Sequence, residues 1–369
     1  MKVLVVIGTR PEAVKMAPVV RALQARPNRF DSVAVCLTAQ HRELLDQVIR
    51  VFDLPVDYDL DLMSPDQTVF DVTAAVLSGM RKILEAARPD LALVHGDTTT
   101  TFAAALAAYY QRVPIAHVEA GLRTFDKYQP FPEEMNRRLC DALCDYHYAP
   151  TARARENLLR EGITDKGIVV TGNTVIDALL HVAAQPHRFD DPLLEAAGAE
   201  RRLILVTAHR RESFGEAFRD MCRAIRDIAT RNPDVEIVYP VHPNPSVRRY
   251  VGEFLADRER IHLIEPMDYL TFVHLLKKAH IVLTDSGGLQ EEAPALGVPV
   301  LVMREVTERP EAVEAGVAQL TGVRYDSIVA ATQRLLDDPA ARDAMARKTN
   351  PFGDGHAAER IADHLQTVV

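Results

Sequence analysis

The stretch that decides the fold lies at the start of the chain and reads Val3-Leu4-Val5-Val6-Ile7-Gly8-Thr9-Arg10-Pro11-Glu12. Its first half is an unbroken run of branched apolar residues, which is typical of a parallel strand buried on both faces. Its second half holds a glycine for a tight turn and a proline suited to the first turn of a helix. The stretch therefore predicts a strand that passes directly into a helix.

The alternation of apolar runs and amphipathic segments continues downstream. In the first half it predicts strands at 3–7, 32–37, 91–94 and 114–118, and helices at 12–25, 42–52, 70–87 and 98–110. The pattern weakens at 185–200, where prolines and a glycine lie among charges, and then restarts. Beyond that point it predicts strands at 203–206, 236–239, 261–264, 281–283 and 298–302, and helices at 216–230, 246–255, 269–277, 289–296 and 357–367.

Strands that alternate with helices place the chain in the α/β class. We expect two doubly wound parallel-sheet domains with a cleft between them. The first spans 1–172, the second spans 173–355, and the C-terminal helix at 356–369 docks back on the first. Ligands of such sheets bind beyond the carboxyl ends of the strands, so polar residues that directly follow a strand carry the functional argument.

Composition excludes several classes of protein. The chain has 369 residues, of which 47% are hydrophobic and 26% charged, so it is neither disordered nor collagen-like. A net charge of −9 argues against nucleic acid or an anionic membrane as a partner. The initial apolar run is too short for a signal peptide, and the four cysteines are expected to be reduced thiols. We therefore expect a soluble, cytoplasmic protein.

Two strand ends resemble anion sites. The strand at 281–283 is followed by Thr284-Asp285-Ser286-Gly287-Gly288, which predicts a nest of backbone N–H groups for a phosphate; the alternative is a turn that needs glycine for its dihedral angles. Glu292, one turn further on, is placed to accept hydrogen bonds from sugar hydroxyls. Arg10 and Lys15 near the first helix start predict a second anion site, or else ordinary surface cations. No dinucleotide fingerprint follows a strand and no P-loop is present, so no bound cofactor is expected.

Carboxylates also follow strands. Asp97 comes after the strand at 91–94, where it is either a helix cap or a catalytic group. Glu119 ends an apolar strand, and a buried carboxylate there is costly unless it is paired or functional. Glu133 and Arg137 are four residues apart on a predicted helix, which predicts an ion pair between them.

Two histidines, His209 and His242, follow consecutive strands of the second predicted sheet. Single histidines are usually structural, but two at the same sheet edge indicate a shared site. No histidine or cysteine spacing typical of a metal site is present, so no metal is expected.

Taken together, these segments resemble the bacterial non-hydrolysing UDP-N-acetylglucosamine 2-epimerases. The matching motifs occur in the family's order along nearly the whole chain and are Gly8-Thr9-Arg10-Pro11-Glu12, Thr38-Ala39-Gln40-His41-Arg42, His95-Gly96-Asp97-Thr98, His117-Val118-Glu119-Ala120-Gly121-Leu122-Arg123, Pro132-Glu133-Glu134-Met135-Asn136-Arg137, Thr171-Gly172-Asn173-Thr174, His209-Arg210-Arg211-Glu212-Ser213-Phe214-Gly215 and Asp285-Ser286-Gly287-Gly288-Leu289-Gln290-Glu291-Glu292.

The resemblance implies a glycosyltransferase-B-like fold, in which two Rossmann-like domains face each other across a cleft, and the interconversion of UDP-N-acetylglucosamine (UDP-GlcNAc) and UDP-N-acetylmannosamine (UDP-ManNAc). It further implies a cytoplasmic homodimer that uses no nicotinamide cofactor and feeds the synthesis of surface polysaccharide. The hydrogen on C2 is not next to a carbonyl, so simple deprotonation is too difficult. Loss of UDP from C1 would make that hydrogen acidic and give 2-acetamidoglucal, to which UDP is then re-added.

The resemblance also implies roles for individual residues. The acid/base and essential polar residues would be Asp97, Glu119, Glu133 and His209, with Arg137 orienting Glu133. The substrate-binding residues are predicted to be Arg10, Lys15, Arg137, His209, His242, Phe272 beside the uracil, Ser286, Gly287 and Gly288 on the diphosphate, Glu292 on the ribose, and Arg309. Gln40, His41 and Gln67 would lie near a second, activating UDP-GlcNAc site, although Asp66 and Met267 depart from the family pattern.

Three other functions remain open from the sequence. The first is a hydrolysing epimerase that releases UDP and N-acetylmannosamine. The second is a glycosyltransferase of the same fold, which paired Glu119 and Glu133 disfavour. The third is a sensor that binds the nucleotide sugar without turning it over.

Overall fold

The computed structural model describes residues 1–38, 42–62 and 66–368. The chain divides into two compact units. The first consists of Met1–Ala178 together with Phe352–Val369, and the second of Leu179–Pro351. Among the described residues, no helix is both long enough and apolar enough to cross a bilayer.

The described part of the first unit is built on one seven-stranded parallel sheet. Its strands are β1 (Lys2–Ile7), β2 (Ser32–Leu37), β3 (Tyr58–Asp59), β4 (Leu91–His95), β5 (Ile115–Val118), β6 (Tyr146–Ala149) and β7 (Ile168–Val170). The helices are α1 (Arg10–Gln24), α2 (Arg42–Phe52), α3 (Val69–Ala87), α4 (Thr99–Tyr110), α5 (Glu133–Leu143) and α6 (Ala152–Arg160). The next helix, α7 (Thr174–Ala183), begins in the first unit and ends in the second. The strand order across the sheet is β3-β2-β1-β4-β5-β6-β7. Successive strands are added on one side of β1 up to β3 and on its other side from β4 onward.

The described part of the second unit repeats this plan on a six-stranded parallel sheet. Its strands are β8 (Arg202–Thr207), β9 (Val235–Pro240), β10 (Ile261–Ile264), β11 (Ile281–Thr284), β12 (Val300–Val302) and β13 (Ala318–Leu320). The helices are α8 (Pro192–Ala196), α9 (Glu216–Arg231), α10 (Pro245–Leu255), α11 (Tyr269–Lys278), α12 (Leu289–Ala295), α13 (Pro310–Glu314), α14 (Tyr325–Asp337) and α15 (Pro339–Ala346). The strand order β10-β9-β8-β11-β12-β13 reverses between β8 and β11.

The chain then returns to the first unit as α16 (Ala357–Val368), which packs on α1. Arg26 pairs with Asp363 at 2.7 Å, and the Tyr148 hydroxyl lies 3.1 Å from His364 Nδ1. The predicted fold class of two Rossmann-like, doubly wound units is confirmed. Strands β4, β5 and β11 are buried along their whole length, as their mostly apolar sequences predict.

Four strands were not predicted from the sequence, namely β3, β6, β7 and β13. Each has only two to four residues, and β6 reads Tyr-His-Tyr-Ala, so none forms a continuous apolar run. They join the sheets as outer strands, where pairing to an established neighbour compensates for weak local preference.

Gly8 lies in the short connection between β1 and α1, and a close approach of another helix requires a glycine there. Its φ angle is not positive, but a Cβ at this position would lie 2.6–2.8 Å from side-chain atoms of Thr100 on α4. The contact brings the start of α1 against the start of α4, which places two polar strand ends side by side.

Candidate functional site

In the first unit, the polar side chains of interest follow β1, β4 and β5, which are adjacent strands around the point where strand order reverses. Arg10 begins α1, Asp97 follows β4 and Glu119 follows β5. Because parallel strands end at the same edge of a sheet, these groups meet there. Arg10 is half-buried at the first position of its helix.

Glu119 is held in a constrained position. It has a φ angle of +65°, a left-handed conformation that costs a non-glycine residue about 1–2 kcal/mol. Its carboxylate lies 2.5 Å from Lys15 Nζ, accepts a hydrogen bond of 2.8 Å from Asn173 Nδ2, and lies 3.8 Å from His95 Nε2. Strained, multiply held side chains at a strand end are typical of functional sites.

His95 lies beneath this carboxylate and is fully enclosed. Burial lowers the pKa of its imidazole to about 3, despite the nearby Glu119 carboxylate, so the ring is neutral. Neither ring nitrogen has a hydrogen-bond partner among the described residues. His95 and Asn173 were quoted within motifs but not predicted as site residues. The signal for His95 was its place directly after the predicted strand at 91–94, whereas Asn173 follows β7, which the sequence did not predict.

Asp97 is not the cap of the helix that follows it. The N-cap of α4 is Thr98, whose side chain accepts a hydrogen bond from the Thr101 amide. The Asp97 carboxylate instead lies 2.5 Å from an Arg137 guanidinium nitrogen, and its backbone carbonyl accepts a hydrogen bond of 3.0 Å from Asn136 Nδ2. Of the two interpretations of Asp97, the capping one is wrong.

The predicted ion pair between Glu133 and Arg137 is not formed. The Arg137 guanidinium lies between Asp97 and the buried Glu134, at 2.5 and 3.5 Å. Glu134 also accepts hydrogen bonds from the amides of Thr124 and Phe125, which fixes it beside Arg137. Glu133 Oε2 is buried and, within the described ranges, has no hydrogen-bond partner. Arg137 therefore pairs with and orients Asp97 rather than Glu133.

Glu12 completes this cluster of carboxylates. One oxygen accepts hydrogen bonds from the amides of Gly8 and Thr9, and Thr9 caps α1 in return. Burial raises the pKa of Glu12 to about 7, and the neighbouring Asp97 acts in the same direction. At neutral pH this residue is poised between its two protonation states.

In the second unit, the equivalent position holds His209, which follows β8, and Asp285, which follows β11. Asp285 Oδ2 accepts hydrogen bonds of 2.6 and 2.7 Å from the amides of His209 and Arg210, and Oδ1 lies 3.5 Å from His209 Nδ1. His242, after β9, stacks on His209 with a centroid distance of 5.1 Å. The predicted juxtaposition of the two histidines is confirmed. Asp285 is a supporting residue that sequence reasoning missed.

The Ser286-Gly287-Gly288 turn does not use glycine for unusual dihedral angles. Neither Gly287 nor Gly288 has a positive φ angle. A Cβ on either would have ordinary space, with its nearest atoms at 3.8 and 4.0 Å. The dihedral alternative is therefore wrong, and what glycine provides here is open access to the backbone. The Ser286 amide is oriented by a 2.8 Å hydrogen bond to Thr284 Oγ1.

The remaining predicted residues of the second unit are half-buried and lie on α11, on α12 or just before α13. Glu292 lies on α12 and Phe272 on α11. Arg309 precedes α13 and pairs with the buried Glu291. Arg210 pairs with Glu308 at 3.2 Å, so this edge carries several guanidinium groups held by carboxylates.

Comparison with known proteins decides the family. The sequence profile of UDP-N-acetylglucosamine 2-epimerase matches residues 21–366. The chain belongs to the UDP-N-acetylglucosamine 2-epimerase family. It is 53% identical to the UDP-N-acetylglucosamine 2-epimerase of Escherichia coli K12 over 372 residues, covering 99% of this chain and 98% of that protein. It is also 53% identical to the enzyme of that name from Salmonella typhimurium over 373 residues, covering 100% and 99%.

A solved structure of the same epimerase family shares the fold. The Neisseria meningitidis UDP-GlcNAc 2-epimerase, determined bound to UDP-GlcNAc, superposes with a TM-score of 0.87 at 46% sequence identity, and the match covers 100% of both chains.

The second nucleotide-sugar site that the epimerase family resemblance implied is described only in part. Gln40 and His41 lie outside the described residues. Gln67 is half-buried, and its Nε2 donates a hydrogen bond of 2.7 Å to the Leu62 carbonyl. A regulatory role for these residues stays a prediction.

One group of potential metal ligands emerges only in three dimensions. His117, Cys140 and Cys144 place ligand atoms within 4.8 Å of one another, although His117 is far from the cysteines in sequence. Both ring nitrogens of His117 are already hydrogen-bonded, to Asp141 Oδ1 at 2.6 Å and to the Gly96 carbonyl at 2.7 Å. A metal would have to displace one of these bonds, so the donor set fits poorly.

Proposed function

We propose that the chain interconverts UDP-GlcNAc and UDP-ManNAc by eliminating and re-adding UDP, without hydrolysis. The observation that carries the proposal is the pair of carboxylates, Asp97 and Glu119, at one sheet edge of the first unit, together with Glu133 on the helix whose Arg137 contacts Asp97. Glu119 and Asp97 are each held by a cation at 2.5 Å, and Glu133 has a buried oxygen with no hydrogen-bond partner among the described residues.

The chemistry explains why acid/base groups are needed. In the forward step the C1–O bond to UDP breaks with its electron pair leaving on the diphosphate, while a base removes the C2 proton and a C1–C2 double bond forms. In the return step a proton is delivered to the opposite face of C2 and the diphosphate oxygen re-attacks C1. The C2 hydrogen leaves as a proton, so the reaction needs no hydride acceptor.

The first unit supplies groups suited to these proton transfers. General acid–base catalysis needs a side chain held within hydrogen-bond reach of the proton it moves. Asp97, Glu119 and Glu133 are fixed by their strand ends or by the start of α5, and Lys15 and Arg137 hold the first two.

The second unit supplies groups suited to the nucleotide. Gly287 and Gly288 leave the backbone open to a diphosphate, and His209 and Arg309 add donors and positive charge. Glu292 would accept hydrogen bonds from the ribose, and Phe272 would pack by the uracil. The Neisseria relative bound to UDP-GlcNAc supports this choice of substrate. The family resemblance extends the proposal to a cytoplasmic homodimer that feeds polysaccharide synthesis.

One experiment tests the reaction directly. The protein is incubated with UDP-GlcNAc in deuterated water and the products are followed by NMR. We expect UDP-ManNAc with deuterium at C2. Free N-acetylmannosamine would indicate hydrolysis instead, and binding without C2 exchange would indicate a transferase or a sensor; either result would overturn the proposal.

A further inference from the structure

A buried histidine close to the proposed carboxylates has each of its ring nitrogens within hydrogen-bond distance of an oxygen acceptor. His117 lies in β5 and its side chain is fully enclosed. Its Nε2 is 2.7 Å from the Gly96 carbonyl, and its Nδ1 is 2.6 Å from Asp141 Oδ1. A carbonyl oxygen only accepts hydrogen bonds, and so does an ionised carboxylate. The geometry therefore requires a proton on each nitrogen, which makes the ring an imidazolium.

Asp141, on α5, is held in its ionised form. Its second oxygen lies 2.6 Å from the Arg123 guanidinium and accepts a 3.3 Å hydrogen bond from the Gly121 amide. Burial opposes ionisation, but His117 and Arg123 lower the pKa of Asp141 to about 2. Burial by itself would lower the pKa of His117, yet Cys140 and Asp141 hold it well above its usual value. Both observations agree with the geometry.

This ion pair joins the segments that carry the proposed acid/base groups. Gly96, whose carbonyl accepts from His117, directly precedes Asp97. Gly121, whose amide donates to Asp141, lies two residues after Glu119. Asp141 itself belongs to the helix that begins with Glu133. The His117–Asp141 pair therefore bonds the backbone next to Asp97 and close to Glu119, and it includes a residue of the helix that begins with Glu133.

We propose that His117 and Asp141 are positioning residues, which set the places of Asp97 and Glu119 through the Gly96 carbonyl and the Gly121 amide. The inference rests on the proposed function, because the carboxylates matter only if they act at C2. Neither His117 nor Asp141 is expected to touch the substrate. Their removal should therefore reduce kcat while leaving KM nearly unchanged.

The protonation of His117 is tested without any activity measurement. Histidine side chains are labelled with ¹⁵N in the full-length protein, and the ring signals are assigned by comparison with His117→Gln. We expect both ring nitrogens of His117 to carry a proton at neutral pH. A ring with one bare nitrogen would overturn the proposal, since the Asp141 contact would then not be an ion pair.

The positioning role is tested with Asp141→Asn, which keeps the side-chain volume, and with His117→Gln. We expect kcat for C2 exchange to fall by about 100-fold, as displacement of a catalytic group by about 1 Å typically does, with KM within about threefold of wild type. The matched control is His147→Gln. His147 is buried on the next strand and bonds the Asp141 backbone carbonyl at 2.8 Å, whereas His117 bonds the Asp141 carboxylate and the Gly96 carbonyl.

The outcomes are distinct. A loss of kcat in His147→Gln equal to that in Asp141→Asn would mean that general destabilisation explains both, and would overturn the proposal. Amide chemical shifts of Asp97 and Gly121 should move in Asp141→Asn and stay in place in His147→Gln. If the wild-type protein shows no C2 exchange, the proposed function fails, while the ring protonation and these shifts still report on the ion pair itself.

Discussion

The ammonium nitrogen of Lys15 lies 2.5 Å from the carboxylate of Glu119, although 104 positions separate the two residues in sequence. Lys15 comes from the second turn of α1 and Glu119 from the end of β5, so the pair joins two neighbouring parts of the strand-end edge. An ion pair of this kind keeps a carboxylate ionised and fixed in direction, which is what a proton acceptor requires.

Glu119→Gln removes the proton acceptor without changing the shape of the side chain. We expect C2 exchange to slow by about 10²–10⁴-fold, the usual contribution of a general acid or base. UDP affinity, measured by calorimetry, should stay within about twofold, because the proposed diphosphate groups belong to the second unit. Glu156→Gln, at an exposed position on α6, is the control and should behave as wild type. Wild-type exchange in Glu119→Gln would exclude it as the base.

Arg137 provides a test of which carboxylate it serves. The structure pairs it with Asp97, so the double mutant Arg137→Met/Asp97→Asn should lose less activity than the two single losses combined. We expect a coupling free energy of about 1 kcal/mol or more from C2 exchange rates, as contacting residues show. Arg137→Met combined with Glu133→Gln should be additive to within about 0.5 kcal/mol. Coupling between Arg137 and Glu133, with additivity between Arg137 and Asp97, would instead support the ion pair that the helix spacing predicted.

A substitution at Gly287 is expected to weaken ligand binding without changing the stability of the fold. Its φ angle is not positive and a Cβ there would have its nearest neighbour at 3.8 Å, so Gly287→Ala should unfold at nearly the wild-type temperature. If a diphosphate approaches this backbone, the added methyl should weaken UDP binding at least about tenfold, which corresponds to ~1.4 kcal/mol. Gly252→Ala, in the interior of α10 with open space around it, is the control. Unchanged UDP affinity in Gly287→Ala would remove the turn from the binding site.

The sequence was sufficient where a single local pattern determines the structure. Continuous apolar runs such as 281–283 predict buried parallel strands, because the run is too short for a helix and turn residues follow it at once. The order of those strands also placed His209 beside His242, since consecutive strands that pair bring their ends together.

Partner choice among charged side chains was not predictable in the same way. Arg137 had Glu133 within helical reach, but the structure pairs it with Asp97, 40 residues away, because α5 packs against α4 and Asp97 lies just before α4. Asn173 was hidden because it follows β7, a strand too short to recognise from its sequence. Such contacts depend on how elements pack, which local spacing does not contain.

Titration of Glu12 should make the free energy of unfolding depend measurably on pH. Its pKa rises from 4.5 to about 7 on folding because the carboxyl is buried. The folded state therefore binds the proton more tightly than the unfolded state, and the resulting stabilisation is complete below about pH 4.5 and lost as the pH rises through 7. Over that window the loss amounts to about 3 kcal/mol for this one group.

Glu12→Gln cannot lose a proton, so its free energy of unfolding should decline less than that of wild type between pH 5 and pH 8. Urea unfolding of both proteins at the two pH values measures the difference, whatever constant effect the substitution has on the cap of α1. Glu85→Gln, which removes a charge from the exposed surface of α3, controls for net charge and should keep the wild-type pH dependence. Parallel curves for wild type and Glu12→Gln would show that Glu12 titrates normally, and burial would then not set its protonation.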